Sequence, residues 1–275
     1  MSGTLYIVGT PIGNLGDMSE RAVSTLREVD FIAAEDTRVT MKLLSRFDIH
    51  TPLVSYHEHN AVSSGERIVE RISAGEDCAI VTDAGMPAIS DPGEDLVRLC
   101  HENGIAVASV PGPSAVITAL ALSGMPSARF SFEGFLSAAP SERKKQLAEL
   151  ASEKRTLIFY ESPHRLAATL SEMADAFGER ELAVVREITK IHEQVWRTTL
   201  TEAAEYYAAN RPRGEYVLVV SGASDGRREE LTLEQAVAIA QGYISDGMTP
   251  TAAAKRAAAE SGVKRAEIYR AVAQK

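Results

Sequence analysis

Three short apolar runs in this chain each stop at a loop of glycine and proline. Leu5-Tyr6-Ile7-Val8 breaks at Gly9-Thr10-Pro11-Ile12-Gly13-Asn14, and Ala79-Ile80-Val81 breaks at Thr82-Asp83-Ala84-Gly85-Met86-Pro87. Ala106-Val107-Ala108-Ser109-Val110 breaks at Pro111-Gly112-Pro113-Ser114-Ala115. In an open α/β sheet, ligands bind in the crevice beyond the carboxyl ends of the strands. Three irregular loops at three strand ends therefore outline one pocket.

The patterns between these runs fit that reading. Ser19 can cap a helix through about Val29, with Met18 placed as a hydrophobic staple. Phe31-Ile32-Ala33-Ala34 reads as a short strand, and helical patterns follow around 39–47, 61–74 and 93–103. Alternating strands and helices imply right-handed crossovers and a mostly parallel sheet. A small-residue helix from Ala115 ends at Gly124-Met125-Pro126, where the rhythm changes and a domain boundary is expected. Strands then read at Phe130 to Leu136, Thr156 to Tyr160, Leu182 to Glu187, Glu193 to Thr199 and Glu215 to Ser221, with helices at 141–151 and 163–177. The last two strands lack crossover helices on both sides, so this second sheet should be mixed.

Ser221 to Arg228 has the composition of a linker, and helices are expected at 232–245, 249–260 and 264–274. Thr232 with Gln235 makes a capping box, and Ser261-Gly262-Val263 a tight turn of the helix-turn-helix kind. The expected organisation is α/β: two α/β domains over 1–118 and 119–224, then a helical domain over 229–275.

Net charge is −9 at neutral pH, which argues against non-specific nucleic-acid binding over the whole surface. The tail differs. From Met248 onward six basic residues face two acidic ones, so an acidic body carries a basic appendage. No apolar stretch approaches the ~20 residues of a membrane helix, and no signal-peptide pattern opens the chain. Cys78 and Cys100 read as small core residues of a reducing cytoplasm, with no metal-ligand spacing.

Gly9-Thr10-Pro11-Ile12-Gly13 is not a dinucleotide fingerprint. Its spacing is wrong, and Pro11 removes a backbone N–H where a pyrophosphate needs one. There is no P-loop lysine either. A proline-stiffened loop suits a ligand held by van der Waals and carbonyl contacts.

GTPIGNLGD, AEDTR, SYHEHN, TDAGMPAISDPG, VPGPSA, FEGFL, FYESPHR and REITKIHE occur in this order. Together they resemble the ribosomal RNA small subunit methyltransferase I family, within the tetrapyrrole methylase superfamily. The resemblance covers roughly residues 4–222, and the helical tail is similar to that family's appendage. It implies S-adenosylmethionine (SAM) in a cleft between two α/β domains, and methylation of a cytidine ribose 2′-hydroxyl in the decoding region of small-subunit rRNA. It also implies a homodimer that works on the small ribosomal subunit. By residue matches, Pro11, Asp83, Gly85, Ile89, Ser90, Ser114, Ala115 and Tyr160 should contact the cofactor. A ligand carrying a sulfonium and an ammonium suits acceptor-only groups such as Asp83 and Asp91.

Candidate bases lie in polar clusters near strand ends. Glu35 and Asp36 are adjacent, and Arg38 could hold one ionised while the other is raised. These three are the expected catalytic group. Tyr56-His57-Glu58-His59-Asn60 suits stacking on an unpaired base; two histidines two apart without cysteine make a poor metal site. His57, Glu58, Asn60, Arg165, Lys190, Lys264 and Arg265 are the expected RNA contacts. Two rivals remain: a methyltransferase acting on a tetrapyrrole or a protein residue, and a nucleic-acid-binding regulator that senses SAM without catalysis. Scattered arginines speak against a porphyrin-carboxylate site, and polar candidates around the pocket speak against a sensor.

Overall fold

A computed structural model describes residues 2–224, 232–245, 248–261 and 263–273. The expected linker residues 225–228, Gly262 of the turn and residue 274 of the last helix lie outside these. Contacts divide the chain into two compact units, residues 1–222 and 223–275.

In the first unit the apolar runs become strands because alternate residues bury on opposite faces. The chain runs β1 (Thr4–Val8), α1 (Glu20–Glu28), β2 (Phe31–Ala34), α2 (Thr37–Arg46), β3 (Leu53–Ser55), α3 (Ala61–Ser73), β4 (Cys78–Val81), α4 (Glu94–Glu102), β5 (Ala106–Val110). The five strands pair in parallel in the order β3-β2-β4-β1-β5. Leu5, Phe31, Cys78 and Ile80 face a core built with α3 and α4, while Val8, Ile32, Ala79 and Val81 face one built with α1 and α2. Ser19 caps α1 as expected, its Oγ accepting from Ala22 N at 3.1 Å. Both cysteines are buried, and burial pushes the Cys100 thiol up to about 11, which leaves it inert.

The chain continues through α5 (Ala115–Ser123), β6 (Phe130–Phe135), α6 (Pro140–Leu150), β7 (Thr156–Glu161), α7 (Leu166–Phe177), β8 (Glu181–Arg186), β9 (Gln194–Thr199), α8 (Leu200–Ala209) and β10 (Tyr216–Val220). The second sheet has the order β6-β7-β10-β8-β9 and is mixed: β6 and β7 run parallel, while β10 runs antiparallel to both β7 and β8. One face packs on α6, α7 and α8, the other on Val116, Ala119 and Leu120 of α5. The whole of α5 thus belongs to the second sheet, so the division between the sheets falls at the loop before Ala115 and not after residue 118. Gly124 ends α5 in the left-handed region at φ 66°, the expected stop.

The second unit holds α9 (Leu233–Ser245), α10 (Pro250–Ser261) and α11 (Arg265–Ala273). Thr232 and Gln235 form the expected capping box, with bonds of 2.9 and 3.3 Å. Ala236, Ala240, Ala253, Ala254 and Ala257 let the helices approach closely around Ile268 and Val272. Lys264 and Arg265 are exposed at the start of α11. Among the described residues no helix is long and apolar enough to cross a membrane.

Candidate active site

The three loops meet at the carboxyl edge of the parallel sheet and are joined through the first of them. Thr10 and Gly85 exchange backbone hydrogen bonds of 2.9 and 3.1 Å, and the Thr10 hydroxyl donates to the Thr82 carbonyl at 3.1 Å. Gly9 donates to the Val110 carbonyl, and its backbone lies against that of Gly112. A Cβ on Gly9 would stand 2.6 Å from the Gly112 Cα, a separation real side chains do not tolerate. The glycines allow loop-to-loop contact; they do not cradle a phosphate. In the second loop Ala88 and Ser90 hold φ of 68° and 60° without being glycine. Such strain of about 1–3 kcal/mol per residue collects where the surrounding structure over-determines a ligand site.

Between these loops and the second sheet lies a cavity of about 400 Å³. Ile12, Glu35, Asp83, Gly85, Met86, Ile89, Ser90, Asp91, Ser114 and Ala115 form one wall. Phe135 and Tyr160, at the ends of β6 and β7, form the other with Ile188 after β8 and Tyr216 at the start of β10. Because β10 is antiparallel to its neighbours, its beginning shares an edge with their ends. Phe132 packs edgewise on Tyr160 and Phe135 lies tilted against it, with ring centroids 5.0 and 5.4 Å away.

The cavity is carboxylate-rich, and among the described residues no lysine or arginine lines it. Burial, reinforced by the charges of Glu35 and Asp83, pushes the Asp91 carboxyl up to about 6. Glu35 is also raised, by burial first and then by neighbouring Asp83 and Asp36, although the Asp83 N–H donating to it at 3.3 Å opposes the shift. Burial raises Asp83 as well and, with the charge of Asp91, pushes the Tyr160 hydroxyl up to about 12. Ser114 precedes α5 and its carbonyl accepts from Thr118 N at 3.0 Å, but its hydroxyl makes no capping bond and is left for a ligand. Such a lining favours a cation with an apolar body.

A second pocket adjoins the first. Glu35, Ser90 and Asp91 line both, and Tyr56, His57, Glu58 and His59 continue the second one outward. His57 carries a buried Nδ1 that has no hydrogen-bond partner among the described residues.

Several expected residues stand elsewhere. Pro11 does not line the cavity; its neighbour Ile12 does. Asp36 and Arg38 are bound to each other at 2.6 and 3.0 Å, with Asp36 capping α2 through the Arg38 N–H. That bonding holds the Asp36 carboxyl well below the usual carboxylate range, so it makes a poor base. The Asn60 side chain accepts from His57 N at 2.8 Å and belongs to the turn. Arg165 donates to the Leu136 carbonyl at 2.6 Å and lies 3.4 Å from Glu161. Lys190 bonds both Glu187 and Glu215, at 3.0 and 2.9 Å. Neither cation is free for phosphate. Sequence reasoning missed Ile12, Met86, Ile188, Tyr216 and the buried Glu161, whose carboxylate accepts from Thr169 Oγ1 at 2.6 Å and so fixes the end of β7. Ile12, Met86, Glu161 and Ile188 fall inside the runs GTPIGNLGD, TDAGMPAISDPG, FYESPHR and REITKIHE, whereas Tyr216 falls in none of the quoted runs.

Comparison with known proteins agrees with this architecture. The family described as Tetrapyrrole (Corrin/Porphyrin) Methylases matches residues 4–204. A Synechocystis protein named ribosomal RNA small subunit methyltransferase I is 47% identical over 268 residues, which is 97% of this chain and 96% of that protein. The Bacillus subtilis protein of the same name is 46% identical, covering 97% of this chain and 93% of its own length. A structure of uroporphyrin-III C-methyl transferase from Thermus thermophilus, complexed with S-adenyl homocysteine, has a TM-score of 0.55 at 19% identity, over 78% of this chain and 97% of that one. That likeness speaks to the fold alone. By sequence over nearly its whole length, the chain belongs to the ribosomal RNA small subunit methyltransferase I family of the tetrapyrrole methylases.

Proposed function

We propose that this chain transfers a methyl group from SAM to the ribose 2′-hydroxyl of a cytidine in the decoding region of small-subunit rRNA. The observation that carries the reading is the junction of two pockets at Glu35, Ser90 and Asp91. One pocket is shaped for a small cationic molecule, and the other is lined by His57 and His59 over the buried Tyr56. The donor set fits the cofactor. Asp83 and Asp91 face its cationic groups, Ser114 and backbone groups of the loops face polar atoms, and Ile12, Met86, Ile89 and Ile188 cover apolar ones. When bound, SAM supplies a methyl carbon already activated by a sulfonium leaving group.

The chain's own task is to align a weakly acidic hydroxyl and remove its proton. Alignment can contribute about 7–11 kcal/mol in favourable cases. Asp91 is the base, since it stands where the two pockets meet, and burial raises its carboxyl to about 6 in the ligand-free chain, above the ordinary aspartate range. Glu35 sustains that poise by its charge. His57 and His59 hold the base of the target nucleotide, while Asp36 and Arg38 anchor the start of α2 beneath Glu35. The exposed Ile117 and Leu122 on α5 support the homodimer that the family resemblance implies.

A tetrapyrrole substrate is disfavoured because neither pocket carries an arginine or lysine for its carboxylates. Labelled SAM offered with assembled small ribosomal subunits, a porphyrinogen and duplex DNA tests the choice. Label should enter only the subunits. Label in the tetrapyrrole, or in nothing while SAM still binds, would overturn it.

A further inference from the structure

The proposed substrate poses an electrostatic problem. The outer pocket is lined by Glu35, Glu58, Asp91, Glu94 and Asp95, which repel a phosphate backbone, and Arg165 and Lys190 are held by internal partners. Besides the exposed Lys264 and Arg265 of the helical unit, the strand needs cations on the body outside this pocket.

A groove of about 460 Å³ on the second sheet supplies them. Arg186, Arg211 and Arg213 line it together with Trp196, Tyr206 and Tyr207. Arg186 Nε donates to the Arg213 carbonyl at 2.6 Å, which ties the strand β8 arginine to the loop before β10. Among the described residues no carboxylate lies within ion-pair distance of any of the three guanidinium groups, in a chain whose net charge is −9. The aromatic side chains form a row: Trp196 to Tyr206 and Tyr206 to Tyr207 at 5.0 Å, then Tyr207 to Tyr216 at 5.8 Å. Tyr206 is 49% exposed at the groove surface. Tyr216 ends the row and also lines the cofactor cavity.

We infer that this groove binds single-stranded RNA, stacking an unpaired base on Tyr206 and Trp196 while the three arginines contact phosphates, and so feeds the strand toward the junction at Asp91. The inference rests on the rRNA reading above and adds a site to it. Aromatic faces beside guanidinium groups are the chemistry of single-strand recognition. The buried Tyr216 borders both the groove and the cavity, so the two are neighbours in the fold.

The test is fluorescence anisotropy with a labelled single-stranded oligoribonucleotide of about a dozen residues. It compares the full chain with Arg211→Glu/Arg213→Glu and with Tyr206→Ala, both outside the cofactor cavity. The charge reversal should weaken binding at least about tenfold and reduce the slope of log K against log salt by about 0.7 for each phosphate no longer neutralised. Tyr206→Ala should weaken it about fivefold to a hundredfold. SAM affinity and the circular dichroism spectrum should not change. Unchanged RNA affinity and salt slope would overturn the inference, as would absent binding by the unmodified chain. A change in sedimentation mass would assign the groove to a second copy of the chain and likewise overturn it. Groove variants that methylate subunits normally would sink the groove while leaving the function standing. Groove-dependent RNA binding by a chain that methylates no RNA would do the reverse.

Discussion

The two sheets contribute to the same cavity by different rules. In the parallel sheet every carboxyl end points to one edge, so the loops after β1, β4 and β5 meet of necessity, and Gly9, Gly112 and the Thr10–Gly85 bridge lock them together. The mixed sheet brings strand ends from β6 and β7 beside the beginning of β10. Its contribution is a wall of larger side chains, Phe135, Tyr160 and Tyr216, flanked by the loop residues Ser162, Pro163, Ile188 and Glu215. The first sheet supplies most of the cavity's charge and the second supplies most of its aromatic shape. A binding edge that is legible motif by motif thus faces one set by register.

The comparison can be broken most severely at its charged side. Asp91→Asn should lower single-turnover methyl transfer by about 10²–10⁴-fold, the range for loss of a general base, with a much smaller loss of SAM affinity by calorimetry. An Asp91 variant with full transfer would return the role to Glu35.

The packing between loops comes next. Gly9→Val should cost about 1–3 kcal/mol through overpacking against Gly112, lower the melting temperature, and abolish SAM binding by separating the loops. The wall should be gentler: Phe135→Leu should weaken SAM binding while leaving the fold intact.

The pH dependence follows from Asp91. Its folded pKa, about 6, is above the ordinary aspartate value, so the folded state binds the proton more tightly than the unfolded chain does. Without ligand, its contribution to stability is therefore present below the unfolded value and is lost as pH rises through about 6. A cationic ligand reverses the preference, so SAM affinity should rise over the same interval. Asp91→Asn should flatten both profiles, which denaturant titration and calorimetry at several pH values would measure.

The smallest effect should come from Asp36→Ala. It removes a helix cap and its arginine pair, about 0.5–2 kcal/mol of stability, and should leave methyl transfer at saturating substrate nearly intact.

Much of the first sheet was legible because its strands are continuous apolar runs ended by glycine and proline. β3 escaped notice, since Leu53–Ser55 is three residues long and half-exposed. α8 escaped because its capping box, Thr199 with Glu202, begins at the last residue of a strand. At the site, Asp83, Gly85, Ile89, Ser90, Ser114, Ala115 and Tyr160 could be named from motifs and all line the cavity. Ile188 and Tyr216 could not, because only antiparallel register brings them there. Arg165 and Lys190 looked available because nothing local shows that Leu136 and Glu215, distant in sequence, occupy them. Asp36 and Glu35 are neighbours in the chain, yet the end of β2 turns one into a helix cap and the other into the cavity.

In the proposed reaction the junction at Asp91 delivers a methyl group to a ribose oxygen of small-subunit rRNA. The most direct measurement is nucleoside mass spectrometry of rRNA from small subunits incubated with the chain and isotopically labelled SAM. Labelled 2′-O-methylcytidine should come from a single position and be lost in Asp91→Asn. Label on a base carbon or nitrogen, or undiminished 2′-O-methylcytidine with the variant, would contradict it.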